Sequence, residues 1–416
     1  MLDTRLILWT FVAAVAAATG LRLWLAARQI RHVRRHRDRV PEAFSGRIRL
    51  EDHRRAADYT VDRTRAGMAA MVWHMLILLG WTAGGGLDHL LRFWSTTLPG
   101  PVAAGTAALL SLMFINALLD LPFAIHRTFV IEARFGFNRT TPATFVTDLL
   151  KQALLGMIIG APLLALFLWL MEGGGAWWLW AWGAWLGFAL LMTWLYPTLI
   201  APLFNTFRPL PDPELARRVE RLLERTGFHS KGVFVMDGSR RSAHGNAYFT
   251  GLGRSKRIVF FDTLLGALAP EEIEAVLAHE LGHFRRRHVH KHLAVSALSG
   301  LTGLWLLDQL LHAPAVFQAL GLSEVSAAGA LALFMLLAPV ALTFVRPLAS
   351  WLSRRHEFEA DEFAAALTGP APLVRALVKL YRDNATTLTP DPLHSAWHDS
   401  HPPAGIRIEH LQARQA

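Results

Sequence analysis

The sequence contains no cysteine. That absence excludes disulfides, thiolate zinc sites, iron–sulfur clusters and cysteine nucleophiles, so any metal must be held by histidine and carboxylate. Charge is scarce as well. Asp, Glu, Lys and Arg make up 18% of the 416 residues, against about a quarter in soluble globular proteins. There is no internal repeat and no low-complexity segment. A cleavable leader is not expected. The first apolar stretch, Leu6 to Ala27, is too long for a signal-peptide core, and no A-x-A-like site leads from it into a polar region.

What is present points to a membrane. Hydrophobic residues reach 53% and the mean hydropathy is +0.30. Fifteen tryptophans fit the same reading, because Trp concentrates at bilayer interfaces. The net charge of +10 would suggest nucleic acid in a soluble protein. Here the basic residues sit in particular loops, and they read as topology. No nucleic-acid partner is expected.

A helix needs about 20 apolar residues to cross the hydrocarbon core. Seven stretches qualify, near 6–27, 67–90, 101–125, 147–171, 175–196, 292–311 and 326–346. The second is the weakest, because Gly84, Gly85 and Gly86 interrupt it. Short loops rich in Lys and Arg face the cytoplasm. The loop after the first span carries a run of arginines from Arg28 to Arg65, so it is expected inside. Alternating from there leaves only Arg5 and Arg92 on the outer side. The segments 126–146, 197–291 and 347–416 then fall inside. Four regions follow. Residues 1–196 hold five spans and a basic cytoplasmic loop, and 292–346 hold the last two spans. Residues 197–291 and 347–416 are two pieces of one polar domain. The Ala-, Arg- and Leu-rich composition suggests a bacterial inner membrane.

The polar part carries a chemical pattern. Pro270 suits the first position of a helix, and Glu271 and Glu272 suit its positive end. Ile273, Val276, Leu277 and Leu281 repeat at helical spacing. His279-Glu280-Leu281-Gly282-His283 lies inside this helix. Residues four apart share a helix face, so both imidazoles can reach one zinc ion at about 2 Å. Glu280, beside the first ligand, can take a proton from a zinc-bound water. The bland readings are a chance match or a solvated surface helix.

Catalytic zinc usually has three protein ligands. The extended signature with a third histidine is excluded, because Arg286 and Val289 stand where its glycine and histidine belong. A later carboxylate is expected instead. In SRRHEFEADEFAAAL, from Ser353, Glu357 and Asp361 are four apart and share a face. One can bind zinc while the other orients a ligand histidine. Glu359 and Glu362 point elsewhere. On spacing alone an exposed charged helix explains the segment equally well. Asn246–Phe249 and the following RIVFF read as short strands. An exposed edge strand could hold an extended peptide by main-chain hydrogen bonds, and an ordinary core pair would look the same.

These residues, with GFNRTTP at Gly136–Pro142, YPTLIAPLFNTFRPL at Tyr196–Leu210, NAYFTGLGRSKRIVFFDTLL at Asn246–Leu265 and SAWHDSHPP at Ser395–Pro403, resemble the type I CAAX prenyl proteases, membrane-integral zinc metalloproteases. The resemblance covers most of the chain. It implies a mainly α-helical integral membrane protein, with seven transmembrane helices around a chamber and a cytoplasmic zincin-like α+β protease domain as cap. By the same resemblance His279, His283 and Glu357 hold one zinc, Glu280 is the base, and Asp361 lies behind the ligands. His401 and Arg407 match residues that steady the substrate carbonyl and transition state. Asn246, Ala247 and Tyr248 match the edge strand that pairs with substrate. His356 and Glu359 depart from the pattern, where relatives often carry an aromatic residue and glutamine.

The implied activity is peptide-bond hydrolysis on peptide or protein substrates, prenylated or membrane-associated. A second reading is a membrane quality-control protease with the same chemistry and no prenyl specificity. A third is a transporter with a zinc-like motif. Few ionisable residues sit mid-membrane, whereas an ion or proton path needs them.

Overall fold

The structure is a computed structural model that describes residues 3–228, 230, 232–250 and 257–413. The first half is helical. α1 (Thr4–Arg35) starts at Asp3, whose carboxylate accepts from the Arg5 N–H. α2 (Leu50–Trp81) and α3 (Gly86–Thr97) meet at a 52° bend. The glycine run makes that bend. Gly85 has φ of 72°, and a Cβ on Gly84 would lie 2.8 Å from the Gly80 carbonyl oxygen, so both positions need the absent side chain. α4 (Pro101–Ile125), α5 (Pro142–Glu172) and α6 (Trp177–Leu195) follow. π-helical turns extend α4 through His126–Glu132 and join α6 to α7 (Ala201–Phe204).

The chain then leaves the apolar helices. It forms β1 (Phe207–Pro209), α8 (Pro213–Thr226), β2 (Val233–Met236), β3 (Ala247–Thr250) and β4 (Arg257–Phe261). Gly251 to Lys256, within one of the family-like motifs, lie outside the described residues. α9 (Asp262–Ala267) and α10 (Pro270–Arg285) lead back to apolar helices α11 (His288–Leu311) and α13 (Ala327–Thr368), with α12 (Pro314–Ala319) between them. α14 (Pro370–Asp383), α15 (Pro392–His398) and α16 (Ala404–Gln412) finish the chain.

Among the described residues six helices are long and apolar enough to cross a membrane, or seven when the bent α2–α3 pair counts as one span. Neighbouring helices close a ring in the order α2, α1, α13, α11, α6, α5, α4 and back to α2. Only 11–33% of each apolar window is buried in protein. The remaining apolar surface calls for lipid rather than water. α13 differs from the sequence expectation of a span followed by a separate helix. It runs unbroken for 42 residues, about 63 Å at 1.5 Å per residue, roughly twice the hydrocarbon thickness. Its last 16 residues, from Ser353 on, carry Glu357 and Asp361 clear of the apolar part. Pro347 stays inside the helix.

The strands form one sheet in the order β1-β2-β4-β3. β2 and β4 are parallel, and the outer pairings are antiparallel. β3 is therefore an edge. The core beneath unites Leu222 of α8, Phe260 of β4, Leu277 of α10, Leu377 of α14 and Ile408 of α16. Phe44 and Ile48 belong to it as well. The arginine-rich loop after α1, which the sequence suggests only as an orientation signal, thus pins the first span to the polar domain.

Candidate metal centre and substrate groove

α10 is set by local chemistry. Pro270 opens it, and the Glu272 carboxylate accepts from the Ala269 N–H at 2.8 Å while pairing with Lys379 at 2.7 Å. Ile273, Leu277 and Leu281 bury one face. Gly282 faces α13. A Cβ there would lie 2.9 Å from the Ala360 Cα and 3.0 Å from its carbonyl oxygen, so the two helices touch backbone to backbone. That contact brings His279 and His283 against Glu357.

The three side chains converge. His279 Nε2 and His283 Nε2 are 3.2 Å apart. They lie 3.5 Å and 3.3 Å from Glu357 Oε2 and Oε1. Ligands held at 2.0–2.1 Å around a tetrahedral ion are separated by about 3.3 Å. All three ligand atoms lie within 4.8 Å of one another, the one such group among the described residues. Glu357 Oε2 is buried, and no donor meets it with hydrogen-bond geometry. His401 Nδ1 stands 2.7 Å away, outside the angular range of a bond. Two imidazole nitrogens and an unsatisfied carboxylate oxygen aimed at one point suit zinc by donor type and spacing.

The outer nitrogens are held too. His279 Nδ1 lies 2.8 Å from Asp361 Oδ1. Asp361 accepts from Arg407 Nε at 2.8 Å and Nη2 at 2.6 Å. His283 Nδ1 is 3.0 Å from His288 Nδ1, and His288 Nε2 is 3.0 Å from Glu359 Oε2. Burial opposes charge on His279, but Asp361 and Glu357 outweigh it and push its pKa up to about 9. Burial raises the Glu357 and Asp361 carboxyls, and their histidine and arginine partners hold both below the ordinary range. The site therefore favours positive charge between the two histidines, whether proton or metal.

Beside the ligands lies a cavity of about 190 Å³, lined by Glu280, Asn246, Ala247, His401 and Arg407 among others. β3 forms its rim. The Phe261 N–H donates to the Asn246 carbonyl at 3.0 Å, so positions 246 and 248 pair with β4. Ala247 and Phe249 turn their backbone groups to the open edge. The Tyr248 side chain projects away, into a separate cavity with Phe207 and Phe234. Of the residues matched to substrate binding, Asn246 and Ala247 line the catalytic cavity and Tyr248 does not. Arg407 is buried behind the ligands, its Nη1 3.5 Å from Glu357 Oε2. His401 is 62% exposed and lines the same cavity. Two contributors escape sequence reasoning. His288 follows His283 by five residues, and only that spacing hints at it. Asn384 pins Gly245, accepting from its N–H at 3.0 Å and donating to its carbonyl at 3.3 Å; no local pattern marks it.

Two family models match the chain. The CAAX prenyl protease N-terminal model, described by five membrane helices, takes in residues 29–206. The peptidase family M48 model takes in residues 209–415. The chain is 36% identical to CAAX prenyl protease 1 of Saccharomyces cerevisiae, over 82% of this chain and 77% of that one. It is 31% identical to the Homo sapiens homolog, over 97% and 94% of the two chains. The crystal structure of S. mikatae Ste24p superposes with a TM-score of 0.90 at 30% identity, covering 99% of both chains. By these matches the chain belongs to peptidase family M48, among the CAAX prenyl proteases, and is a membrane zinc metalloendopeptidase.

Proposed function

We propose that this protein hydrolyses a peptide bond near the carboxy terminus of prenylated CAAX-type substrates, with His279, His283 and Glu357 holding one zinc ion and Glu280 as general base. One observation carries the reading. Three ligand atoms of the right type converge at the base of a cavity that also holds Glu280, and an open strand edge forms its rim. Bound zinc would lower the pKa of a water toward about 7 and polarise the scissile carbonyl.

The chain's own groups do the rest. The substrate lies extended along β3, its backbone bonded to Ala247 and Phe249. Glu280 accepts the proton of the attacking water and passes it to the leaving amine. His401, beside Glu357, donates to the oxyanion that forms as water adds. Arg407 holds Asp361, and through it the His279 ring, and its Nη1 adds positive charge to the cavity. Asp361 is a positioning residue. The catalytic face is cytoplasmic in this reading, with seven spans in a bacterial inner membrane around a chamber, and 197–291 and 347–416 as one protease domain.

The test uses full-length protein in detergent and a matched peptide pair, with and without a farnesylated cysteine. Zinc-dependent cleavage that disappears in Glu280→Gln supports the protease. Preference for the farnesylated peptide supports the CAAX reading, and equal cleavage favours general quality control. No cleavage of either by zinc-loaded protein overturns the proposal.

A further inference from the structure

A second, larger cavity of about 530 Å³ adjoins the catalytic one, and the two share Asn384 and His401 as wall residues. It lies where α2 meets the segment from Tyr381 to Pro403. Its lining is mostly uncharged and polar, with Thr60, Thr64 and Thr386. Among the described residues, Arg63 is the one Arg or Lys that lines it and Asp399 the one acid.

Arg63 makes no ion pair among the described residues. Its guanidinium lies over the Tyr59 ring at 5.2 Å, and Nη1 is 3.5 Å from the Tyr59 hydroxyl. The nearby Glu132 carboxylate has other partners, the Tyr59 hydroxyl at 2.6 Å and His244 Nε2 at 3.3 Å. A cation held by an aromatic face keeps its fork of donors free for a planar anion. The volume falls in the range that encloses a small ligand, about 300–1,000 Å³.

The two ends of the groove differ in chemistry. At β3 the site offers backbone groups, which accept any extended peptide. Beyond His401 it offers a polar cavity with one guanidinium that makes no ion pair among the described residues. A substrate cut close to its end must place a short, negatively terminated piece on one side of the metal. The second cavity shares wall residues with the catalytic one and matches that piece in size and charge. We propose that this cavity receives the carboxy-terminal piece of the substrate, with Arg63 pairing its free α-carboxylate. The inference rests on the proposed function and adds the subsite that would read the chain end.

The experiment uses full-length protein in detergent, zinc-loaded and carrying Glu280→Gln so that nothing turns over. The probes are the tripeptide Val-Ile-Met as free acid, as carboxy-terminal amide, and extended by three residues beyond the methionine. Binding is measured by calorimetry, and cleavage of farnesylated peptides ending in acid or amide runs in parallel on protein with Glu280 intact. The acid should bind about 10–100-fold more tightly than the amide, as expected for a charge-assisted bidentate pair. Arg63→Ala should bring that ratio near one, and Arg63→Lys should keep part of it. The extended peptide should bind as weakly as the amide, which separates a chain end from a carboxylate at any position. Equal binding of acid and amide overturns the inference, and that comparison needs no Arg63 variant. A preference unchanged in Arg63→Ala overturns it too. Acid-selective binding through Arg63 without cleavage of any farnesylated peptide would sink the proposed function and leave the subsite standing. Cleavage indifferent to the chain end would do the reverse.

Discussion

Glu359 reaches the His279–His283–Glu357 cluster through His288. Its Oε2 lies 3.0 Å from His288 Nε2, and His288 Nδ1 lies 3.0 Å from His283 Nδ1. A carboxylate only accepts, so His288 Nε2–H donates to Glu359. That leaves His288 Nδ1 as a lone pair, and His283 Nδ1–H donates to it. His283 Nε2 is then free of hydrogen and faces Glu357. Asp361 does the same for His279 directly.

This relay predicts a graded result. Glu359→Ala should weaken zinc binding about 10–100-fold, the usual effect of losing such a support. Glu359→Gln should keep most of the affinity, because an amide oxygen also accepts from His288. Competition with a chromophoric chelator measures both. Glu357→Ala should lose zinc altogether. If Glu359→Ala loses zinc outright and Glu357→Ala retains it, the ligand assignment is wrong.

Glu280→Gln separates metal binding from turnover. The three ligands remain, so zinc content should equal that of the unaltered protein. The proton acceptor is gone, and kcat should fall about 10²–10⁴-fold. Metal analysis and peptide cleavage on the same preparation decide the point. Retained turnover would remove Glu280 from the mechanism.

Gly282 offers a test of the packing that assembles the site. A methyl group there would meet the Ala360 backbone at 2.9 Å, and neither helix can yield by rotating a side chain. Gly282→Ala should push α10 from α13 and cost about 1–3 kcal/mol as overpacking. Because the displacement separates His279 and His283 from Glu357, zinc affinity should fall together with the thermal midpoint. An unchanged affinity would mean that the helices do not set the ligand spacing.

The residues of the His279–His283–Glu357 cluster were legible because their spacing is local. His279 and His283 are one helical turn apart, and Glu357 and Asp361 repeat that interval. The spans were legible from length and apolarity, and the broken second one from its glycines. Contacts between distant segments were not. Nothing near Phe44 announces that it enters the core beneath α10. Nothing near Asn384 announces that it fixes Gly245, 139 residues away. Burial and fold-dependent pairing leave no period in the sequence. Tyr248 shows a finer limit. Strand alternation sends its side chain away from Ala247's face, which a motif match does not resolve.

Asp391 ties the first span to the carboxy-terminal segment. Arg28 Nε and Nη2 donate to the two Asp391 oxygens at 3.2 Å and 3.0 Å. The Gln29 side chain accepts from the Asp391 N–H at 2.6 Å, and Asp391 Oδ1 accepts from the His394 N–H at the start of α15. Asp391 is buried and Arg28 is 37% exposed. Burial raises the Asp391 carboxyl, but Arg28 and the His394 amide outweigh it and hold it below its ordinary range. A depressed carboxyl stabilises the fold above its unfolded value of about 3.9. That contribution fades as pH falls through the lower folded value. Asp391→Asn should therefore lower the thermal midpoint at pH 7 and flatten its decline between about pH 5 and pH 3. Arg28→Ala leaves a buried carboxylate without its partner and should cost about 2 kcal/mol, less than a fully buried pair because Arg28 faces solvent. Thermal unfolding in detergent across that pH range measures both variants. If Asp391→Asn melts with the unaltered acid dependence, Asp391 does not carry the acid sensitivity of this junction.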